Sequence, residues 1–339
     1  MHDPEDPRSS YPGARSTGAP DGLLRAPGSG GHAAHRTATV HGIAVHCPDV
    51  VTSTQDHAAD LWRAGEPAPF AVLAREQVAG RGRLGRSFVT PPGGGLAITV
   101  AIRTDLPVAA RSWFPLAAGL AVIDALCGPS LDLAPARRGP GGTVGEVGLK
   151  WPNDIHTSDG RKLGGILVEG HGADGVLVGI GLNLRGPVRD AGGAEVPGAA
   201  WLLGPGSLTG RVDTPAAVEQ LRRALAGQLL AGVLREVRIL GSTGGDARES
   251  GTLDRYTVTC LTLGRRVQVE PLGATSTPVA PSGASGTAQA IDDRGRLVLR
   301  TAEGALVSVD VGDVRHGPRE SGRHATMRNA GEGAEGPTR

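Results

Sequence analysis

Between residues 39 and 240 the apolar positions switch between helical spacing and short extended runs, which predicts helices and strands in turn. Ser53-Thr54-Gln55-Asp56 matches a capping box, and Ala58, Ala59, Leu61 and Trp62 behind it give one apolar face, so a helix is expected to start there. Runs at 70–75 and 96–102 read as strands, and Pro91-Pro92-Gly93-Gly94-Gly95 forbids a helix between them. Trp113, Leu116, Leu120, Ile123 and Cys127 fall three and four residues apart, which predicts a buried helix under a sheet. Runs at 147–150, 154–157, 162–169 and 175–184 predict a meander of strands. Thr214-Pro215 then opens a final helix that turns Leu221, Leu225, Leu229 and Val233 inward. The expected fold of residues 39–240 is mixed α/β (α+β), not a doubly wound sheet.

Beyond residue 240 the period changes. Gly241-Ser242-Thr243-Gly244-Gly245-Asp246 reads as a linker. Short runs at 256–263, 266–270, 286–291, 297–301 and 306–311 predict a small β unit over residues 252–318, with Asp292-Asp293-Arg294-Gly295 as a hairpin turn. Residues 1–38 and 319–339 lack periodicity and are expected to be disordered tails. The Gly-rich insert 134–145 and the Pro/Ser-rich insert 274–286 read as surface loops.

Composition narrows the function. With 35 Lys and Arg against 34 Asp and Glu the charge is nearly balanced, which argues against a general nucleic-acid or membrane-surface binder and makes any positive field local. The three cysteines, Cys47, Cys127 and Cys260, are widely spaced and fit neither a disulfide framework nor a zinc site. The first residues lack a basic n-region and an apolar h-region, and no apolar run reads as long enough to span a bilayer, so a soluble cytoplasmic protein is expected.

That local field is concentrated in Gly80-Arg81-Gly82-Arg83-Leu84-Gly85-Arg86. Glycine lets backbone approach a ligand closely, and arginine presents a planar fork of donors suited to phosphate or carboxylate. Gly80, Gly82 and Gly85, with Asp105 about twenty residues on, imitate a dinucleotide-binding fingerprint. That fingerprint needs a helix to begin at the loop, whereas this loop runs into Ser87-Phe88-Val89-Thr90-Pro91-Pro92, so the dinucleotide reading is set aside. Alone, an Arg-Gly run is commonly just a solvated loop.

Its companions are Ser53-Thr54, Gln77, Lys150-Trp151-Pro152-Asn153-Asp154, Lys162-Leu163-Gly164-Gly165-Ile166-Leu167-Val168-Glu169, and Gly179-Ile180-Gly181-Leu182-Asn183. In this order they resemble the biotin protein ligase family over most of residues 50–185. The 252–318 unit, with Leu263-Gly264-Arg265-Arg266-Val267 and Gly312-Asp313-Val314, resembles that family's SH3-like β-barrel. The resemblance implies a class II aminoacyl-tRNA synthetase-like catalytic domain. It also implies ATP and biotin as substrates, with Mg2+ accompanying ATP and no metal ligands identified. The implied reaction forms biotinyl-adenylate and transfers biotin to a lysine of a biotin carboxyl carrier protein. The hosts it implies are acetyl- or acyl-CoA carboxylase and, as a further candidate, pyruvate carboxylase; a homodimer is an open possibility.

By the same resemblance Lys150 and Arg81 are the catalytic cations. Ser53, Thr54, Gln55, Gln77, Arg81, Gly82, Arg83 and Lys150 would bind biotin. Gly80, Arg83, Arg86, Asn153, Gly164, Gly165, Gly179, Gly181, Asn183 and Trp201 would bind ATP or the adenylate. Plain strand bulges remain an alternative for Gly179 and Gly181, and simple packing for Trp201. The arginine loop is expected to be disordered without ligand and to close over the adenylate, excluding water. Gln55 stands where the family usually has Asn, Phe88 where Trp is common and Leu84 where a polar residue is frequent. Residues 1–38 show no helix pair able to read DNA, so no operator binding is expected. A lipoate ligase and a non-catalytic biotin-binding module are the alternatives.

Overall fold

The computed structural model describes residues 36–85, 88, 90–139, 142–190, 192–270, 284–310 and 312–317. The chain forms two compact units, Met1–Leu261 with Asp293–Gly295, and Thr262–Asp292 with Arg296–Arg339. In the first unit the order is β1 (Arg36–Val40), β2 (Ile43–Cys47), β3 (Val50–Val51), α1 (Thr54–Arg63), β4 (Phe70–Ala74), β5 (Glu76–Gln77), β6 (Gly95–Arg103) and α2 (Phe114–Leu126). There follow β7 (Arg137–Gly139), β8 (Gly142–Val144), β9 (Val147–Lys150), β10 (Asp154–Thr157), β11 (Lys162–His171), β12 (Gly175–Asn183), α3 (Pro215–Gly241) and α4 (Thr252–Thr259).

Eight strands make one sheet in the order β1-β2-β4-β6-β12-β11-β10-β9. Only the β2–β4 pair is parallel. One face carries α1, where Ala58, Phe70, Val72, Ala101 and Leu177 form a buried cluster with Leu61 and Trp62 packed against it. The α2 side is equally close-packed: a Cβ on Gly119 of α2 would meet the Leu149 side chain at 3.0 Å. The caps that start the helices are as the sequence predicts, with Ser53 Oγ accepting from the Gln55 amide and Thr214 Oγ1 from the Ala217 amide.

Several expectations need correction. The segment Val108–Leu126 does have the length and hydropathy of a membrane span. Eleven of the thirteen α2 residues within it are buried in the unit, so it is apolar because it is a core helix. Strand β1 begins at Arg36, inside the segment read as a tail; residues 1–35 and 318–339 lie outside the described residues. The 134–145 insert contains the β7–β8 hairpin, and most of the 274–286 insert lies outside the described residues. Residues 252–259 are helix α4, not strand. Thr252, Leu253, Tyr256 and Cys260 are buried at helical spacing, whereas the β-branched run Thr257-Val258-Thr259 imitates a strand in one dimension. Gly241 therefore ends α3, Ser242–Asp246 is a turn inside the first unit between α3 and α4, and the boundary between units falls after Leu261.

The second unit is an antiparallel sheet of β13 (Arg266–Glu270), β14 (Ser285–Ile291), β15 (Leu297–Arg300), β16 (Leu306–Val309) and β17 (Asp313–His316), ordered β16-β15-β14-β13-β17. Val267, Val269, Ala288, Ile291, Leu297, Leu299, Val309 and Val314 supply its buried side chains. β17 has only Val314 buried and gave no alternating signal to find it by.

Candidate active site

Sheet register places three rows of side chains on the face that carries α1. Phe70, Ala101, Leu177 and Glu169 stand abreast in the first row, and Val72, Thr99, Gly179 and Leu167 in the second. Ala74, Ala97, Gly181, Gly165, Asp154 and Lys150 stand abreast in the third. Helix α1 covers the first two rows, with Ala58 on the apolar cluster and Gln55 so close over Gly179 that a Cβ there would meet Gln55 Oε1 at 2.8 Å. The third row is different. Its floor is small residues, and it ends on a carboxylate and an ammonium. Along β12, Val178, Ile180 and Leu182 are buried while Gly179, Gly181 and Asn183 are part-exposed, so this is the open face of the sheet. A Cβ on Gly165 would find nothing nearer than Asp154 Oδ1 at 3.5 Å. The row is a trough suited to a slender ligand with an anionic end.

One side of the trough is bounded by the buried polar start of α1. Gln77 Oε1 accepts from the Thr54 amide at 2.9 Å and from the Thr54 hydroxyl at 3.2 Å, and Gln77 Nε2 donates to Phe88 O at 2.9 Å. The Thr99 hydroxyl lies 2.9 Å from both Thr54 Oγ1 and Gln55 Oε1. Ser53, Thr54, Gln55, Gln77 and Thr99 are all buried. Gly80 has to be glycine, because a Cβ would overlap Gln77 Nε2 and Phe88 O. The Phe88 ring lies over Gly181, where a Cβ would come within 2.5 Å of it.

The other end carries charge. Lys150 is the last residue of β9 and stands directly opposite Asp154, with Trp151 buried in the turn between them. Asp154 Oδ1 accepts from Lys162 Nζ at 2.7 Å, and the His156 imidazole lies 3.8 Å from Oδ2. Burial alone would raise the Asp154 carboxyl; His156, Lys162 and Lys150 outweigh burial and hold it below the ordinary carboxylate range. Asp154 therefore stays ionised and gathers two ammonium groups at the mouth of the trough.

The arginine loop is docked over the same face. Between β5 and β6 it forms a 3-10 turn at Arg83–Gly85. Arg81 Nη2 lies 2.6 Å from Glu169 Oε2 and 3.1 Å from Asp56 Oδ1, which ties the loop to β11 and α1. Arg83 Nη1 donates to Asn153 Oδ1 at 2.9 Å, while Asn153 Nδ2 donates to Ile166 O at 2.8 Å. These contacts set Arg81 against β11 and α1 and Arg83 against Asn153. Gly82 is part-exposed between the two arginines. Arg86 lies outside the described residues.

The remaining residues named from sequence divide by task. The Gln55 amide donates to Leu177 O at 3.2 Å and to Leu167 O at 3.4 Å, so it ties α1 to β11 and β12. Both ends of its amide have partners within the protein, which gives it a building role. Gly164 packs against Gly181 O and Leu182, away from the trough. Asn183 Nδ2 donates to Ala200 O at 3.0 Å and anchors the segment leading to Trp201. The Trp201 ring packs on Gly186, where a Cβ would overlap it, and Trp201 Nε1 donates to Pro205 O at 3.1 Å.

Sequence reasoning did not single out Thr99, Lys162 or Asp154 as site residues. Lys162 lay inside a quoted motif, and Thr99 was marked by being a lone hydroxyl in the apolar run Leu96-Ala97-Ile98-Thr99-Val100-Ala101-Ile102. Among the described residues no group of three His, Cys, Asp or Glu side chains is arranged to hold a metal ion.

Residues 47–183 match the biotin/lipoate A/B protein ligase family, and residues 282–317 match the biotin protein ligase C-terminal domain. A biotin-(acetyl-CoA-carboxylase) ligase of Mycobacterium tuberculosis is 36% identical over 273 residues, covering 79% of this chain and 88% of that one. One from Paracoccus denitrificans is 34% identical and covers 70% and 86%. The biotin protein ligase of Aquifex aeolicus, solved with biotin and ATP, has the same fold, with a TM-score of 0.58 at 21% identity over 80% of this chain and 99% of that one. The motif order, the open trough and the extent of these matches agree: this chain belongs to the biotin protein ligase family.

Proposed function

We propose that this chain activates biotin with ATP as biotinyl-5'-adenylate and transfers the biotinyl group to a lysine of a biotin carboxyl carrier protein. The observation that carries the reading is the third row of the sheet, a glycine-floored trough between the Ser53–Gln77 cluster and the cations around Asp154. In the first step a biotin carboxylate oxygen bonds to the α-phosphorus, and the bond to the β-phosphate oxygen breaks with loss of pyrophosphate. Both partners are anions, so fixed cations that meet the charge as it builds on phosphorus lower the barrier. Lys150 and Lys162 stand where the valeryl carboxylate would lie, with Arg81 and Arg83 above. In the second step the carrier amine bonds to the acyl carbon, AMP departs from it, and the amine proton goes to solvent.

Arg81 is engaged by Glu169 and Asp56, and ligand oxygens would take over its guanidinium from these carboxylates. Ser53, Thr54 and Gln77 suit the ureido ring, whose polar atoms are costly to bury unpaired. Mg2+ would arrive on the nucleotide phosphates, since phosphate oxygens and water are its usual ligands, and no step here is routed through it. The three cysteines form no disulfide, which fits a reducing cytoplasm.

The experiment is pyrophosphate exchange into ATP with biotin or lipoate supplied, followed by transfer to a carrier domain. Biotin-dependent exchange and transfer are expected. Exchange with lipoate alone moves the chain to the lipoate branch, binding of biotin without exchange makes it a binding module, and absence of exchange with biotin ends the ligase reading.

A further inference from the structure

β6 is apolar from Leu96 to Ile102 except at Thr99, which is 0% exposed. A buried hydroxyl in such a strand has to donate and accept within the protein. Thr99 has one proton and two acceptors at 2.9 Å, Thr54 Oγ1 and Gln55 Oε1. When Thr54 Oγ1 accepts it, the Thr54 proton is directed to Gln77 Oε1 at 3.2 Å. Gln77 is held with Oε1 toward α1 by the Thr54 backbone amide, which can only donate, and with Nε2 toward Phe88 O, which can only accept; the Thr54 hydroxyl is a second donor on Oε1. One proton of Nε2 is used there, which leaves the second to donate. Ser53 Oγ accepts from the Gln55 amide and likewise keeps its own proton to give. The chain of bonds from Thr99 thus ends on the Gln77 amide and its one remaining donor, and the Ser53 hydroxyl, outside that chain, is a second donor at the start of α1.

We propose that Thr99 is a positioning residue for substrate recognition: its hydroxyl holds Thr54 Oγ1 in place as the second donor on Gln77 Oε1, so that the Gln77 amide is held ready for the carbonyl oxygen of a cyclic urea. Thr99 acts through Thr54 and Gln77 and touches no substrate atom. Gly179, beside Thr99 in the sheet, makes room for the Gln55 amide that shares the Thr99 proton. The inference rests on the biotin-ligase reading above.

The test compares Thr99→Val, which keeps the shape and removes the donor, with Thr99→Ser, which keeps the donor. KM for biotin, KM for ATP and kcat in pyrophosphate exchange are measured with the melting temperature. The same is done with the cyclic guanidine analogue of biotin, whose C=NH replaces the ring carbonyl. Thr99→Val should raise the biotin KM by about tenfold, the scale of one buried hydrogen bond, with ATP KM and kcat within about twofold. It should also narrow the preference for biotin over the analogue, and Thr99→Ser should restore both. Should valine crowd Gln55 and prevent folding, Thr99→Ala carries the same readout. An unchanged biotin KM and preference in a folded donor-less variant overturns the proposal. So does a rise in biotin and ATP KM together that follows the melting temperature and that serine does not rescue. Wild-type protein without biotin-dependent exchange would instead overturn the ligase reading itself.

Discussion

Lys150→Ala is expected to lower biotin-dependent pyrophosphate exchange by about a hundred- to a thousandfold, the usual cost of removing one fixed group that meets charge in the transition state. Two anions approach each other in that step. At a separation of 4 Å an ammonium attracts a unit charge by about 4 kcal/mol at an effective dielectric of 20, enough to account for a loss of this size. Lys162→Ala should have a similar effect, because Lys162 Nζ shares the Asp154 carboxylate and would lie 3.7 Å from a Cβ placed on Gly165. The double variant separates their tasks. Losses that multiply assign the two lysines to different anions, the carboxylate and the α-phosphate; losses no worse than the larger single one assign them to the same oxygen. Asp154→Asn should hurt both, since its carboxylate, held ionised by these neighbours, is what gathers them. A Lys150→Ala enzyme within about twofold of wild type in exchange would remove Lys150 from the chemistry.

How far the site could be read from sequence follows from what kind of information each residue carries. Ser53 and Thr54 announce themselves locally, as a cap before an amphipathic run, and the glycine-arginine loop by composition. Lys150 and Asp154 flank a turn whose residues set it almost alone. Thr99 shows only as a lone hydroxyl in an apolar run, and Glu169 carries no mark of its task. Their meaning comes from register, which sets Thr99 against Gly179 and brings Glu169 within 2.6 Å of an arginine 88 positions earlier. The building role of Gln55 is hidden for the same reason: nothing local shows that two strand carbonyls more than a hundred residues away accept from its amide. α4 was misread because a β-branched run imitates a strand, whereas the burial of Leu253 and Tyr256 against the first unit decides for helix. The strands of both units, by contrast, follow from alternation and turn residues, and so were mostly legible.

Gly165→Ala is expected to leave the melting temperature within a few degrees of wild type while raising the biotin KM by about ten- to a hundredfold, the scale of one forced methyl in a close-packed site. The protein itself has room for that methyl. Its nearest neighbours would be Asp154 Oδ1 at 3.5 Å and Lys162 Nζ at 3.7 Å, which is ordinary contact, and a strand alanine is if anything easier to fold than glycine. Only a ligand lying in the trough would meet it. Gly181→Ala is the counterpart: its Cβ would come within 2.5 Å of the Phe88 ring, so the protein must shift before any ligand arrives, and stability should fall as the biotin KM rises. The two glycines are partners across β11 and β12, yet the substitutions should separate cleanly, one acting on the ligand and the other on the fold. A Gly165→Ala protein that binds biotin as tightly as wild type would mean that the ligand does not lie on the third row, and the cations at its end would then need another reason to converge.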